Sequence, residues 1–378
     1  MKAKPRILFI TWSFSRGGGA ERVLSNLICE LEKTGCYDIS LLEVSHESIA
    51  WEQLPESVTV LPPVLDETNN APAYRLKRYR RRKQLEHDPD RVRDIVRKGK
   101  RFDLAVGFNY LYPTYLIYED EPSISWNHGT IWELKDQPER LELQRKAYEH
   151  IDAIVAIAQR TKESIAGLYP EFENKLHVIP NGFRFSDIYE RAEEPCDVLD
   201  GTPILAVGRL DENKNPLGIL NAFEAIRERR PDCHLYYLGD GDLRSDVERE
   251  IAQRGLSSCV SFLGHQKNPY PYMRQGACIL TMSHSEGFQT VIVEGLALGV
   301  PFISTPVGSA EELSCGQLFG KTVETPEAAG DAFEALSSAS CGESWNNDMR
   351  RFVERYSIDS QVGAFVQLAN NLIEGTHE

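Results

Sequence analysis

The chain has 378 residues, too many for one typical core, so two domains of similar size are expected. Its composition, 41% hydrophobic and 26% charged, is that of a soluble globular protein, and no apolar run approaches the roughly 18 residues of a membrane span. A formal net charge of −15 excludes a nucleic-acid binder as a class. The eight cysteines, Cys29, Cys36, Cys196, Cys233, Cys259, Cys278, Cys315 and Cys341, are scattered without CxxC spacing, which excludes a zinc site and a disulfide framework.

The opening "MKAKPRILFITWS" reads as a first strand instead of a leader, because the apolar run is short and glycines and charges follow it. A cytoplasmic protein is expected. Further strands are predicted over 39–44, 58–61, 104–108, 123–126, 153–157 and 176–179, with helical patterns between them. After "IPNGFRFSDIYERAEEPCDVLDGTP" the pattern restarts, with strands over 203–207, 234–238, 259–263, 277–282 and 301–304. Such alternation builds parallel sheets covered by helices, and so an α/β fold of two doubly wound halves. Residues 1–182 are read as the first domain, 183–200 as a linker, 201–350 as the second domain and 351–378 as a closing helical segment.

Doubly wound sheets collect ligands at the carboxyl ends of their strands, and three such ends carry chemistry here. The first strand runs into Gly17-Gly18-Gly19 and then a helix opening at Ala20, Glu21 and Arg22. Adjacent glycines let amides approach an anion, although the loop is neither a Walker A sequence nor GxGxxG, and a tight turn explains it equally well. In "AVGRLDENKNP", Arg209 and Lys214 follow a strand and suit a diphosphate, the one as a fork and the other as a point charge. In "HSEGFQTVIVEGLALGVPFIST", Glu286 belongs to the strand-end turn, Gly287, Phe288, Gln289 and Thr290 to the helix start, and Glu294 to the second helical turn. Helix-start amides suit phosphate oxygens. Glu294 interrupts an apolar run, where a carboxylate needs donors such as sugar or ribose hydroxyls.

Taken together, these stretches resemble the retaining family-4 glycosyltransferases of the bacterial surface-polysaccharide type. The resemblance rests on the glycine loop running into "AERV", on "IPNGF", "VGRLDENKNP", the Glu286–Glu294 pair and "LGVPFISTPVGSAEEL" in register across nearly the whole chain. It implies the GT-B fold, two Rossmann-like domains facing a central cleft, with the closing helical segment crossing back to the first. It further implies transfer from a nucleotide-diphosphate sugar, UDP-linked, with no cofactor and no metal. Glu294 would hold the ribose and Glu286 the hydroxyls of the donor sugar. Arg209 and Lys214 would neutralise the leaving diphosphate, and Gly17 and Gly18 would approach it from the other domain. The resemblance also places His128, in "SWNHGTIWE", near the reacting sugar; its residues alone suggest a capping or core histidine. "GDGD", with Asp240 and Asp242, looks like a metal-binding DxD but is read as a strand-end turn. Ser309 stands where the family commonly has a second glycine, implying a less permissive backbone.

One segment contradicts the acidic average. "RLKRYRRRK" holds Arg75, Lys77, Arg78, Arg80, Arg81, Arg82 and Lys83, with Leu76 and Tyr79 three apart. A solvated helix face is the plain reading; an anionic membrane surface or a polyprenyl-linked acceptor is the sharper one. The expected partners are thus a nucleotide-sugar, a glycan or polyprenyl-linked acceptor and an anionic membrane, with peripheral attachment to the inner face. Two rivals stay in view: an NAD-dependent dehydrogenase, for which no GxGxxG is found, and a non-catalytic subunit that activates a partner enzyme.

Overall fold

The computed structural model describes residues 4–15, 19–47, 54–339 and 342–375. It divides into two compact units, one comprising the chain up to Gly182 together with Ile358 onward, the other Phe183–Ser357.

In the first unit seven parallel strands lie in the order Thr59–Val60, Asp38–Glu43, Arg6–Thr11, Leu104–Gly107, Ser123–Asn127, Ala153–Ala156 and Leu176–Val178. Ile7, Leu8, Phe9 and Ile10 are all buried, so both faces of their strand are covered. That is why the sequence there is continuously apolar instead of alternating. From Arg6–Thr11 the chain builds outward on one side, then returns to Leu104–Gly107 on the other, with Ile7 opposite Leu104. The reversal opens a crevice at the carboxyl ends of those two strands.

The second unit repeats this plan with six parallel strands: Val260–Gly264, Cys233–Leu238, Thr202–Val207, Cys278–Thr281, Phe302–Ser304 and Gly320–Thr322. Its reversal falls between Thr202–Val207 and Cys278–Thr281, where Ile204 pairs with Cys278. The two loops bearing Arg209, Lys214 and Glu286 leave these neighbouring strands, so topology alone sets them side by side.

Several elements depart from the sequence reading. Gly320–Thr322 is a strand although "GKT" has no apolar run, since it only extends the sheet edge beyond Phe302–Ser304. Ser45–His46 and Leu65–Asp66 form a separate short ladder. The stretch 183–200, read as a linker, contains the helix Phe185–Ala192, which buries Phe185, Ile188 and Ala192 along one face within the second unit. The closing helical pattern is broken: Gly342–Val353 ends in a 3-10 turn, Ser357 is extended, and Ile358–Gly375 begins afresh. This last helix packs in the first unit, where Phe365 lies 5.8 Å from Phe9 and 5.9 Å from Trp126, and Tyr37 donates to Asn370 at 2.9 Å. The boundary therefore falls at Ser357/Ile358, not between 350 and 351.

Candidate active site

Two loops meet at the reversal point of the second unit. Lys214 Nζ donates to Glu286 Oε1 at 2.5 Å, tying the loop after Thr202–Val207 to the loop after Cys278–Thr281. Asparagines fasten the same seam. Asn213 accepts from the His284 amide at 2.8 Å and donates to the Ser285 carbonyl at 2.9 Å, while Asn215 donates to the Met282 carbonyl at 3.1 Å. Asn215 adopts left-handed φ of 51°, which asparagine tolerates, and caps the helix Pro216–Arg229 by accepting from the Gly218 amide. Arg209 is 78% exposed and bonds Asp211 at 3.1 Å; Asp211 also accepts from the Lys214 amide. Asp211 thus pairs with the Arg209 guanidinium and holds the backbone at Lys214, contacts the sequence did not mark.

The stretch from Gly287 to Thr290 is more engaged than expected. The Gln289 amide donates to Ser309 Oγ at 3.0 Å, and the Gln289 side chain is buried against Ser304 and Thr281. The Thr290 amide bonds the Phe288 carbonyl, and the Phe288 ring packs 6.2 Å from Phe183 and 5.6 Å from Tyr356. Phe288 and Gln289 therefore serve as anchors that hold the helix start in place. Ser309, expected to stiffen the backbone, has ordinary φ of −93° and acts through its hydroxyl. The glycine that matters is its neighbour: Gly308 has φ of +54°, and a Cβ there would lie 2.9 Å from Glu286 Cβ.

Glu294 projects from the helix Thr290–Ala297 and is buried, and Tyr270 Oη donates to its Oε1 at 3.0 Å. The burial expected from its apolar neighbours is present, with a tyrosine partner from a distant segment. In the "GDGD" turn, Asp240 accepts from the Gly241 amide and from Arg244 at 3.1 Å. Gly239 has φ of +153° and passes so close to Gly208 that a Cβ would collide with its carbonyl.

In the first unit His128 follows the strand Ser123–Asn127, its ring 4.2 Å from Phe108 and stacked on Trp126. Burial drives its pKa down to about 3, so the imidazole is neutral at pH 7, and its buried Nε2 has no hydrogen-bond partner. Gly17 and Gly18 lie outside the described residues. The loop leading toward them is held by Glu43, whose buried carboxylate accepts from the Phe14 and Ser15 amides and pairs with His46 at 2.6 Å. The seven cations fall on the helix Pro72–His87, which exposes Leu76 (51%) and Tyr79 (62%). Several are engaged: Arg78 and Arg82 pair with Glu67, Arg81 bonds the Val64 carbonyl and Lys83 pairs with Glu86.

Comparison with known families decides the assignment. A family model described as "Glycosyltransferase Family 4" matches residues 17–186, and one described as "Glycosyl transferases group 1" matches 201–338. The chain belongs to these glycosyltransferases. The sheets of this glycosyltransferase are those of the GT-B fold: the crystal structure of Anabaena HepE with UDP superposes with a TM-score of 0.73 at 16% identity, covering 97% of this chain and all of that one. An uncharacterized glycosyltransferase of Methanocaldococcus jannaschii is 28% identical over 45% of this chain and 44% of its own. A Campylobacter jejuni enzyme named as an N-acetylgalactosaminyltransferase acting on a diphospho-undecaprenol-linked saccharide is 30% identical over 47% of this chain and 48% of its own. The glycosyltransferase matches about half the length of these relatives.

Proposed function

We propose that this glycosyltransferase moves a hexosyl or N-acetylhexosaminyl group from a UDP-sugar to a glycan or polyprenyl-linked saccharide in surface-polysaccharide synthesis, with retention of configuration. The Lys214–Glu286 bond beside Arg209, at the reversal point of the second sheet, carries the reading. The nucleotide assignment is supported by the UDP in the HepE crystal, and the acceptor class by the name of the Campylobacter relative.

In the reaction the bond from the anomeric carbon to the diphosphate oxygen breaks, and a bond from that carbon to an acceptor hydroxyl oxygen forms. The hydroxyl proton passes to the leaving diphosphate. Positive charge builds on the sugar and negative charge on the diphosphate, and preplaced cations stabilise that separation. Arg209 and Lys214 supply them. Lys214 then has two anionic partners, the diphosphate and Glu286, and Glu286 turns to the hydroxyls of the sugar. Glu294, steadied by Tyr270, takes the ribose. His128 of the first unit is neutral, so its part in the reaction is that of a hydrogen-bonding group, not of a cation.

UDP, and not NAD, should raise the melting temperature of the purified chain. Arg209→Ala with Lys214→Ala should nearly abolish transfer, because each cation contributes a charge-assisted contact of about 1.5–3 kcal/mol. Transfer by the wild type should survive EDTA. Undiminished turnover by the double variant, or loss with EDTA and rescue by Mg, would overturn the corresponding part of the reading.

A further inference from the structure

The first unit contains a cavity of about 410 Å³ beneath the basic helix, lined by Lys77 and Arg81 of that helix and by Lys98 and Lys100. Lys98 and Lys100 lie in the turn after the helix Pro89–Arg97. The protein has 57 acidic residues against 42 Lys and Arg, yet among the described residues no carboxylate lines this cavity. Arg97 also lines it, but its guanidinium is spent on Glu121 at 2.5 and 2.6 Å and adds no net charge. Among the described residues none of Lys77, Lys98 and Lys100 has a carboxylate partner, and Arg81 bonds only the Val64 carbonyl at 3.2 Å. Four cations around one cavity repel each other unless an anion joins them.

The remaining wall is apolar: Leu61, Pro62, Ile95, Val96 and Phe102. Ile95 is 43% exposed although it is a large aliphatic side chain, so this wall reaches solvent. An inorganic anion would leave that surface wet. An anion carrying a hydrocarbon chain would satisfy both halves of the cavity.

We infer that this cavity binds a phosphate-headed amphiphile, its head among Lys77, Arg81, Lys98 and Lys100 and the start of its chain against Leu61, Ile95 and Phe102. The source is a lipid and not a free phosphate, and the site is a single pocket, distinct from diffuse attraction of the helix to a charged surface. It is independent of the sugar donor.

The test is titration calorimetry of the full chain, without sugar nucleotide, against decyl phosphate, inorganic phosphate and neutral decyl maltoside, each below its micelle concentration. Decyl phosphate should bind at least about tenfold more tightly than either control. Lys98→Asn with Lys100→Gln, where asparagine suits the left-handed φ of 50° at position 98, should weaken it about tenfold or more. Ile95→Glu leaves the cations in place but adds a carboxylate to the wall, and should weaken binding comparably. Circular dichroism checks the fold of each variant. Equal binding of inorganic phosphate would make this a free-anion site and overturn the lipid assignment. No binding of decyl phosphate, or binding unchanged in both variants, would overturn the site itself.

Discussion

Removing the charge of Lys214 and the charge of Glu286 separately should affect nucleotide binding in opposite directions. The two groups meet at 2.5 Å, and their side chains are 30% and 13% exposed. Fully exposed pairs contribute at most about 1 kcal/mol, and charge-assisted hydrogen bonds away from water about 1.5–3. This half-buried pair belongs near the lower end of the second range. Lys214→Gln removes a cation from the diphosphate and strands the Glu286 carboxylate, so UDP affinity should fall about tenfold or more. Glu286→Gln frees Lys214 from its competitor and removes a carboxylate near the phosphates, so UDP affinity should hold or rise, by up to about tenfold. UDP carries no sugar and loses no contact with Glu286, whereas transfer from the complete donor should drop. Calorimetry with UDP and a steady-state transfer assay provide the two readouts, and urea unfolding of both single variants and the double variant gives a coupling of about 1–2 kcal/mol. Equal weakening of UDP binding by both substitutions, or a cycle with no coupling, would refute the shared-lysine argument.

Glu294→Gln should raise the donor KM more than it lowers kcat, because ribose contacts persist from ground to transition state, and Tyr270→Phe should do the same more weakly. Burial lowers the His128 pKa from its ordinary 6.5 to about 3 in the folded chain, so as pH falls below 6.5 the unfolded chain gains a proton that the folded chain does not. Stability should therefore decline with falling pH by up to about 1.4 kcal/mol per unit from this group, and His128→Gln should flatten that slope in urea titrations from pH 7 to 4. Binding to phosphatidylglycerol vesicles should fall steeply between low and physiological salt and be lost when the seven cations of Arg75 to Lys83 become Gln; a wild type indifferent to such vesicles at low salt makes the helix a solvated face.

The layout of both sheets was legible because buried parallel strands need apolar runs on both faces, and Ile7 to Ile10 and Cys278 to Thr281 are such runs. Gly320–Thr322 was not, since an edge strand of three residues has little to bury. The break at Ser357 was equally hidden: "IDSQVGAF" continues a helical period in composition, and only the extended ψ of 154° at Ser357 separates the two helices. Lys214 and Glu286 could be picked out because each follows an apolar strand run, but their contact depends on the sheet order, which the sequence does not spell out. Tyr270 and Asp211 could not, since their roles are contacts with Glu294 and with Arg209 and Lys214 that no spacing encodes. The packing of Gln289 and Phe288 was hidden for the same reason. Their position at a helix start suggested exposed amides, but Ser309 arrives from a distant segment to accept from the Gln289 amide, and the Tyr356 ring packs against the Phe288 ring.

The helix Ile358–Gly375 makes the first unit discontinuous along the chain. A ribosome delivers Phe9 and Trp126 early but Phe365 only after the whole of Phe183–Ser357 has been synthesised. Until then the aromatic surface awaiting that ring is uncovered, and the nascent protein holds an incomplete amino-terminal body beside a second body able to finish first. The eighteen-residue helix Ile358–Gly375 can therefore close the first unit only late, and its loss by truncation or nicking would leave the rings of Phe9 and Trp126 without that cover.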